Sequence, residues 1–462
     1  MSPRHRTSPS SRHARRWLGG TVAAGLVVLC GPGVAPSVAV VPPAAPLAAP
    51  RAVPASVPVV APAAPLAVPL AADAPLPDPA ILTARLKKVS TKGIQKVGVV
   101  VTTTDGQVLA DRSSGTPLTP ASTMKLFTTM AALDALGPER TFATRVVDAD
   151  GKRIVLVGGG DPLLTDKTST SSYKTASLQK LAAATVAALR AAGRTSVGLR
   201  YDASLFTGPT FSPDWKSKWL GWEARVAALE INSGKVSGGR AASNPPKTAA
   251  KAFAARLRAA GITVTSILPA TAPAGATELA RVTSTTTARI VHRTLLLSDN
   301  VAAETLSRHA ALANGRAGSF TGAAANVTAW AADSGLWVTG QRILDGSGLA
   351  PGSRLAPAAL AAAVRLALAE DRFAPVIGGL PVAAESGTLR HRFDDRSEAA
   401  GRHVVHAKTG TLSGLAGLAG YVTTADGALL VFAELGNKAT SYYRVYDWLD
   451  REAAVIAGCG CR

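Results

Sequence analysis

The chain has 462 residues, of which 47% are apolar and 30 are prolines, and a formal charge of +20. That length allows two or three domains with a substantial core, and the basic charge suits any polyanion, an anionic cell wall or membrane face included. Zinc-finger spacing, a Walker loop and a basic-aromatic RNA motif are all missing, so the sequence reads as no nucleic-acid binder, and its three cysteines make a poor metal site.

Residues 1–39 read as an export signal. Arg4, Arg6, Arg12, Arg15 and Arg16 precede an apolar run from Trp17 to Cys30, and Ser37-Val38-Ala39 offers a cleavage site. An uncleaved anchor is the alternative, although the apolar run is short and Gly-broken for a membrane helix. Either way the rest of the chain is expected on the extracellular, cell-wall side of the membrane. Residues 40–76 are almost entirely Pro, Ala, Val and Leu. Proline at that density blocks helices and sheet ladders and predicts an extended spacer.

The folded part starts near Asp78, with a short helix expected over Leu82 to Val89. Val97 to Thr103 and Gln107 to Arg112 form β-branched runs around Asp105-Gly106, a hairpin pattern. The same pattern returns near the other end, around Asp426-Gly427, followed by a helix from Tyr442 to Ala457. Strand pairs at both ends predict one sheet assembled from the two termini. The fold class is therefore α/β, an antiparallel sheet flanked by helices, with other material held between. Cys459 and Cys461 stand one glycine apart; a strained local disulfide, a bond to another chain and reduced thiols all stay open.

Three motifs with chemical content occur in order. Ser122-Thr123-Met124-Lys125 opens an amphipathic run at a predicted helix start, and a three-residue step puts Ser122 and Lys125 on one face. A serine hydroxyl is a weak nucleophile until a base takes its proton, and a lysine serves once burial or nearby cations lower its pKa. Ser298-Asp299-Asn300 precedes a helical stretch from Val301. Ser298 or Asn300 suits its N-cap, and Ser298 also suits a proton shuttle. Lys408-Thr409-Gly410-Thr411 reads as a cleft-edge strand. Lys408 and the Thr409 hydroxyl would face a carboxylate, and Gly410 would let a substrate backbone approach. The backbone N–H of Thr411, with that of Ser122, would make an oxyanion hole. Alone, each motif equally suits an ordinary cap or surface turn. Their conjunction does not.

A Ser-x-x-Lys helix start, a Ser-x-Asn loop and a Lys-Thr-Gly strand in this order resemble the active-site serine penicillin-recognising enzymes. The 176 residues between Ser122 and Ser298 are too many for a compact β-lactamase. The spacing is similar to that of the class C low-molecular-mass penicillin-binding proteins, the D-alanyl-D-alanine carboxypeptidases/endopeptidases. LVGGGDPLLT from Leu156, DASLFTGPTFSPDW from Asp202, LDGSGL from Leu344 and SGTLRHRF from Ser386 resemble further signatures of that family. One departure is that Ala350-Pro351 follow LDGSGL where the family continues Ser-Arg, and the arginine appears only at Arg354.

The resemblance implies a transpeptidase/β-lactamase-like catalytic domain over 77–140 and 285–462, with one or two accessory domains inserted over 141–284. It implies catalytic roles for Ser122, Lys125, Ser298, Asn300 and Lys408, and substrate binding by Thr409, Gly410 and Thr411. Asn300 would bond both the substrate amide and Lys125. Peptidoglycan stem peptides would be substrates, β-lactams inhibitors, and neither a metal nor an organic cofactor is implied. A β-lactamase or esterase on the same scaffold, or a non-catalytic wall-binding module, are the competing expectations. A Ser-His-Asp hydrolase is disfavoured, since no Gly-x-Ser-x-Gly elbow is present.

Overall fold

The computed structural model describes residues 74–460 apart from Trp222. The expected export signal and nearly all of the expected spacer fall outside the described residues.

Helix α1 (Pro79–Leu86) starts where the Asp78 carboxylate accepts from the N–H groups of Ala80 and Ile81, with Pro79 at the position that needs no donor. Strands β1 (Ile94–Thr103) and β2 (Val108–Arg112) form the first hairpin. A 3₁₀ turn over Ala121–Met124 then leads into α2 (Lys125–Leu136). The next stretch builds β3 (Ala143–Asp148), β4 (Arg153–Val157), α3 (Leu178–Ala191), β5 (Ser196–Asp202), α4 (Pro245–Ala259), β6 (Thr263–Pro269) and β7 (Glu278–Thr283). Helices α5 (Thr287–Leu297), α6 (Asn300–Ala313), α7 (Phe320–Asp333), α8 (Pro357–Ala369) and the short α9 (Ala374–Gly378) follow. The chain closes with β8 (Val405–Leu412), β9 (Leu415–Thr423), β10 (Leu429–Ala439) and α10 (Tyr442–Ala457).

The first sheet has the order β2-β1-β10-β9-β8 and is antiparallel throughout. Strand β1 pairs with β10 from Ile94↔Ala439 to Thr103↔Leu430, so the two ends of the folded part make one sheet. One of its faces packs against α2 and α5–α9 through residues such as Phe127, Leu306 and Leu360. The other is covered by α1 and α10, with Leu82, Phe432 and Trp448 buried between them. The fold is thus the α/β arrangement that the strand pairs predict.

Helix α2 departs from its expected amphipathic pattern. Every residue from Lys125 to Leu133 is buried, which is the condition of a helix enclosed by protein on all sides. The surrounding α5, α6, α7 and α8 come from much later in the chain, so no local periodicity announces that enclosure.

The second sheet, built entirely from residues 143–283, has the order β6-β5-β4-β3-β7. Strands β4, β5 and β6 run parallel through the crossover helices α3 and α4, and both helices bury the same sheet face, with Val146, Leu156 and Ala280. The opposite face carries Arg145, Val157 and Arg281.

Candidate active site

Ser122 sits in the 3₁₀ turn and Lys125 one turn on, so the predicted step does bring them together: Lys125 Nζ lies 2.8 Å from Ser122 Oγ. Ala121, immediately before Ser122, has φ +48°, a left-handed conformation that a non-glycine residue adopts only when its surroundings enforce it. Lys125 is completely buried and donates twice more, to Asn300 Oδ1 at 2.7 Å and to the Ser347 carbonyl at 2.7 Å. Three acceptors match the three donors of an ammonium. Burial nevertheless pushes the Lys125 pKa down to about 8, against the pull of Asp345, Glu304, Glu223 and Asp299.

The second motif folds differently from a simple cap. Asp299, not Ser298 or Asn300, caps α6, accepting from the Ala302 N–H at 3.1 Å, and the helix begins at Asn300. Ser298 ends α5 in the left-handed region, φ +56°. That kink turns its hydroxyl to Lys408 Nζ, 3.0 Å away. Asn300 divides its amide: Oδ1 accepts from Lys125, and Nδ2 donates to Glu223 Oε2 at 3.1 Å. Glu223 comes from the segment between β5 and α4.

Strand β8 is the outermost strand of the first sheet; Pro381–Ala383 pair with its Val405–Ala407 part, and the cleft lies along Thr409–Thr411. Lys408 is fully buried and donates to the Thr409 carbonyl at 2.7 Å. Burial first, then the Lys125 charge, pushes its pKa well below the usual lysine range. The Ala407 N–H points out of the sheet to the Pro381 carbonyl at 2.9 Å, so by strand alternation the Thr409 and Thr411 N–H groups point the same way. Thr409 Oγ1 lies 2.7 Å from Thr388 Oγ1, and Thr411 Oγ1 bonds Tyr446 OH.

Gly410 also has a role in packing. A Cβ there would stand 2.5 Å from the Pro120 carbonyl oxygen and 3.2 Å from the Ser122 nitrogen. The bare glycine lets β8 press against the nucleophile turn, and Ser122 and Thr411 line the same cleft.

Ser122, Ser298, Thr409 and Thr411 line one cleft of about 410 Å³, with Thr388, Arg392 and Tyr446 on its far wall. A larger cavity of about 860 Å³ lies elsewhere, on the second sheet, and touches none of these residues.

Two contributors have no chemical signature of their own in the sequence. Glu223 comes from the segment between β5 and α4, outside the three catalytic motifs. The other is the loop Asp345–Gly348 inside LDGSGL, whose Ser347 carbonyl meets Lys125. Glu304 of α6 grips this loop through the Ser347 and Gly346 N–H groups, at 2.7 and 3.1 Å. Asp345 accepts from the Trp215 indole at 2.7 Å and from the Ala350 N–H at 2.8 Å. Both carboxyls are buried and pushed upward by burial, Glu304 to about 7. After LDGSGL, Arg354 Nη1 donates to Thr119 Oγ1 and to the Pro351 carbonyl, both at 2.7 Å. Among the described residues no three His, Cys, Asp or Glu side chains converge as a metal-binding group. Cys459 is disulfide-bonded, and its partner lies outside the described residues.

Residues 82–239 and 232–444 match the D-Ala-D-Ala carboxypeptidase 3 (S13) family. The chain is 34% identical over 369 residues to carboxypeptidase Rv3627c of Mycobacterium tuberculosis, covering 77% of this chain and 78% of that one. It is 34% identical over 400 residues to carboxypeptidase DacB of Mycolicibacterium smegmatis, covering 83% and 82%. Penicillin binding protein 4 of Haemophilus influenzae superposes with a TM-score of 0.67 at 20% identity, over 81% of this chain and 98% of that one, and shares the fold. With the three motifs gathered into one cleft and the family match spanning almost all of the described residues, the chain belongs to the D-Ala-D-Ala carboxypeptidase 3 (S13) family.

Proposed function

We propose that the cleft hydrolyses the terminal D-alanyl-D-alanine bond of peptidoglycan stem peptides by two acyl transfers through Ser122. The observation that carries this reading is the 2.8 Å contact between Ser122 Oγ and the amine of a fully buried lysine. Neutral Lys125 takes the hydroxyl proton as Oγ attacks the carbonyl carbon of the penultimate D-Ala. The developing oxyanion meets the N–H groups of Ser122 and Thr411. Ser298, bonded to Lys408, passes a proton to the departing amine as the C–N bond breaks, which frees D-Ala; the proton that Lys125 took from Ser122 replaces it on Ser298, so Lys125 is neutral again. Water then attacks the ester carbonyl and gives a proton to Lys125; the C–O bond breaks, Ser122 regains its proton, and the shortened peptide leaves as a carboxylic acid. Thr409, which lines the cleft, holds the substrate carboxylate, while Lys408, expected to face that carboxylate, lies buried behind it on Ser298 and the Thr409 carbonyl. Endopeptidase cleavage is the same chemistry with a cross-linking amine as the leaving group.

A β-lactam presents a strained amide to the same nucleophile, and its leaving nitrogen stays tethered, so the acyl-enzyme is expected to persist. The site is expected to work outside the cytoplasm, on the wall side of the membrane, as the signal-like first 39 residues suggest. The relatives' carboxypeptidase names support the substrate class.

The test is intact mass and peptide mapping after benzylpenicillin treatment, with Ser122→Ala as control. An adduct on the Ser122 peptide, missing from the control, is expected. No adduct with penicillin intact would favour a wall-binding module, and penicillin consumed without a lasting adduct would favour a β-lactamase.

A further inference from the structure

The 860 Å³ cavity lies between the exposed face of the second sheet and the C-terminal ends of α2 and α6. Three arginines line it: Arg140, Arg145 and Arg281. Arg145 on β3 and Arg281 on β7 are direct cross-strand partners. Like charges in that position repel and destabilise a sheet. Glu278 relieves the pair in part: it accepts two bonds from Arg281 at 2.8 Å each and also feels the Arg145 charge, one carboxylate against two guanidinium groups. Arg140 and Arg145 form no ion pair among the described residues. Asp202 is the one carboxylate lining the cavity, and its oxygens already accept from the Ser204 and Ala272 N–H groups, at 2.8 Å each. The lining therefore has an excess of guanidinium groups and no free carboxylate to compensate them.

We propose that this cleft binds an extended polyanion carrying phosphate or carboxylate groups, the kind of anionic strand a cell wall presents. Guanidinium forks match either oxyanion in a bidentate manner. The cavity has about twice the volume of the catalytic cleft, which suits a strand better than a single inorganic ion. The site shares no residue with the catalytic cleft and does not depend on the mechanism proposed there.

The probes are fluorescent oligo(glycerol phosphate) and a polyglutamate of matched length, titrated by anisotropy against the full chain at rising salt. Binding that weakens with salt is expected, and so is a loss of about tenfold or more in affinity when Arg140→Gln, Arg145→Gln and Arg281→Gln are combined. The tighter probe identifies the source as phosphate or carboxylate. Penicillin acylation of Ser122 should be unchanged in the triple variant, which shows that it is folded. Equal binding by triple variant and wild type, or no binding of either probe at low salt, overturns the proposal. A second variant tests the reasoning from charge. Arg145→Gln alone relieves the cross-strand repulsion, so its melting temperature should hold or rise while affinity falls. A clear fall in melting temperature would show that Arg145 serves the fold, and would overturn the proposal as well.

Discussion

The catalytic cleft and the arginine cleft hold positive charge in opposite ways. Lys125 and Lys408 are sealed from water, and burial drives the pKa of each down. Arg145 and Arg281 stand exposed on a sheet face. A buried amine with displaced affinity for its proton can give and take one near neutral pH. An arginine cannot be deprotonated at any working pH, so its use is to attract and orient an anion. The difference teaches that charge burial, more than the count of cations, separates a site that reacts from one that binds. It also sets the conditions that perturb each. Acylation at Ser122 should follow pH and respond little to salt, whereas binding at the arginine cleft should follow salt and respond little to pH.

The largest effect comes from removing the buried amine. Lys125→Ala should lower the rate of penicillin acylation by at least about 10³-fold, measured as adduct formation against time, since general base catalysis alone contributes up to roughly 10⁴. In the wild type the neutral amine is the active form. Acylation should therefore rise with pH and level off above about 8, the value to which burial brings Lys125. The sign for stability follows from the same displacement. The folded state releases this proton at about 8 and the unfolded chain at the ordinary lysine value of 10.5, so Lys125 makes stability rise with pH across that window. A pH-independent acylation rate between 6 and 9, roughly the range over which a group titrating near 8 changes state, would break the contrast between the clefts.

Gly410→Ala sharpens it by geometry without touching a charge. The added methyl meets the Pro120 carbonyl at 2.5 Å, backbone that cannot move without shifting Ser122. Overpacking of this kind costs about 1–3 kcal/mol, and a displacement of about 1 Å at a nucleophile costs on the order of 10²-fold in rate. Thermal melting and acylation kinetics read the two effects separately. Wild-type acylation in this variant would mean that the contact between β8 and the nucleophile turn is not needed.

These two positions also show how far the sequence could be read. Ser122, Lys125, Ser298 and Lys408 are recognisable because their chemistry depends on residue type and short spacing, and the paired hairpins at both ends announce the sheet. The purpose of Gly410 is not recognisable in that way. A glycine in a strand signals a close approach but does not say what approaches, and Pro120 reaches it only through the tertiary packing of β8 on the 3₁₀ turn. Asp299 rather than its neighbours caps α6 because Ser298 takes a left-handed conformation, and no cap preference encodes that. Glu223 lies 77 positions from Asn300, outside the three catalytic motifs, and only tertiary packing brings the two together.

Glu223 therefore offers a middle-sized test of whether the insert belongs only to the binding side. Glu223→Gln keeps a polar side chain but lets its amide face the Asn300 amide group, and it removes one charge that favours protonated Lys125. Acylation should fall about tenfold, the scale of one lost charge-assisted hydrogen bond, while binding to the arginine cleft stays unchanged. Unaltered acylation would confine the insert's role to binding.

The smallest effect, and the most diagnostic of tuning, is expected at Glu304. Its carboxylate touches neither Ser122 nor Lys125. It holds the Ser347 and Gly346 N–H groups and through them presents the Ser347 carbonyl to the Lys125 amine. The groups around Lys125 are Asp345, Glu304, Glu223 and Asp299, which favour its charged form, and Lys408, whose own pKa the Lys125 charge lowers. Removing one negative charge makes the ammonium less stable, so Glu304→Gln should move the acid limb of the acylation profile to lower pH. Burial raises Glu304 to about 7, so the shift should be clearest above that pH, where the wild-type carboxyl is ionised. Loss of rate with an unmoved limb would mean that Glu304 only braces the loop. A limb that moves while Glu304→Ala, lacking the grip, also loses rate would separate the electrostatic part of its action from the positional part.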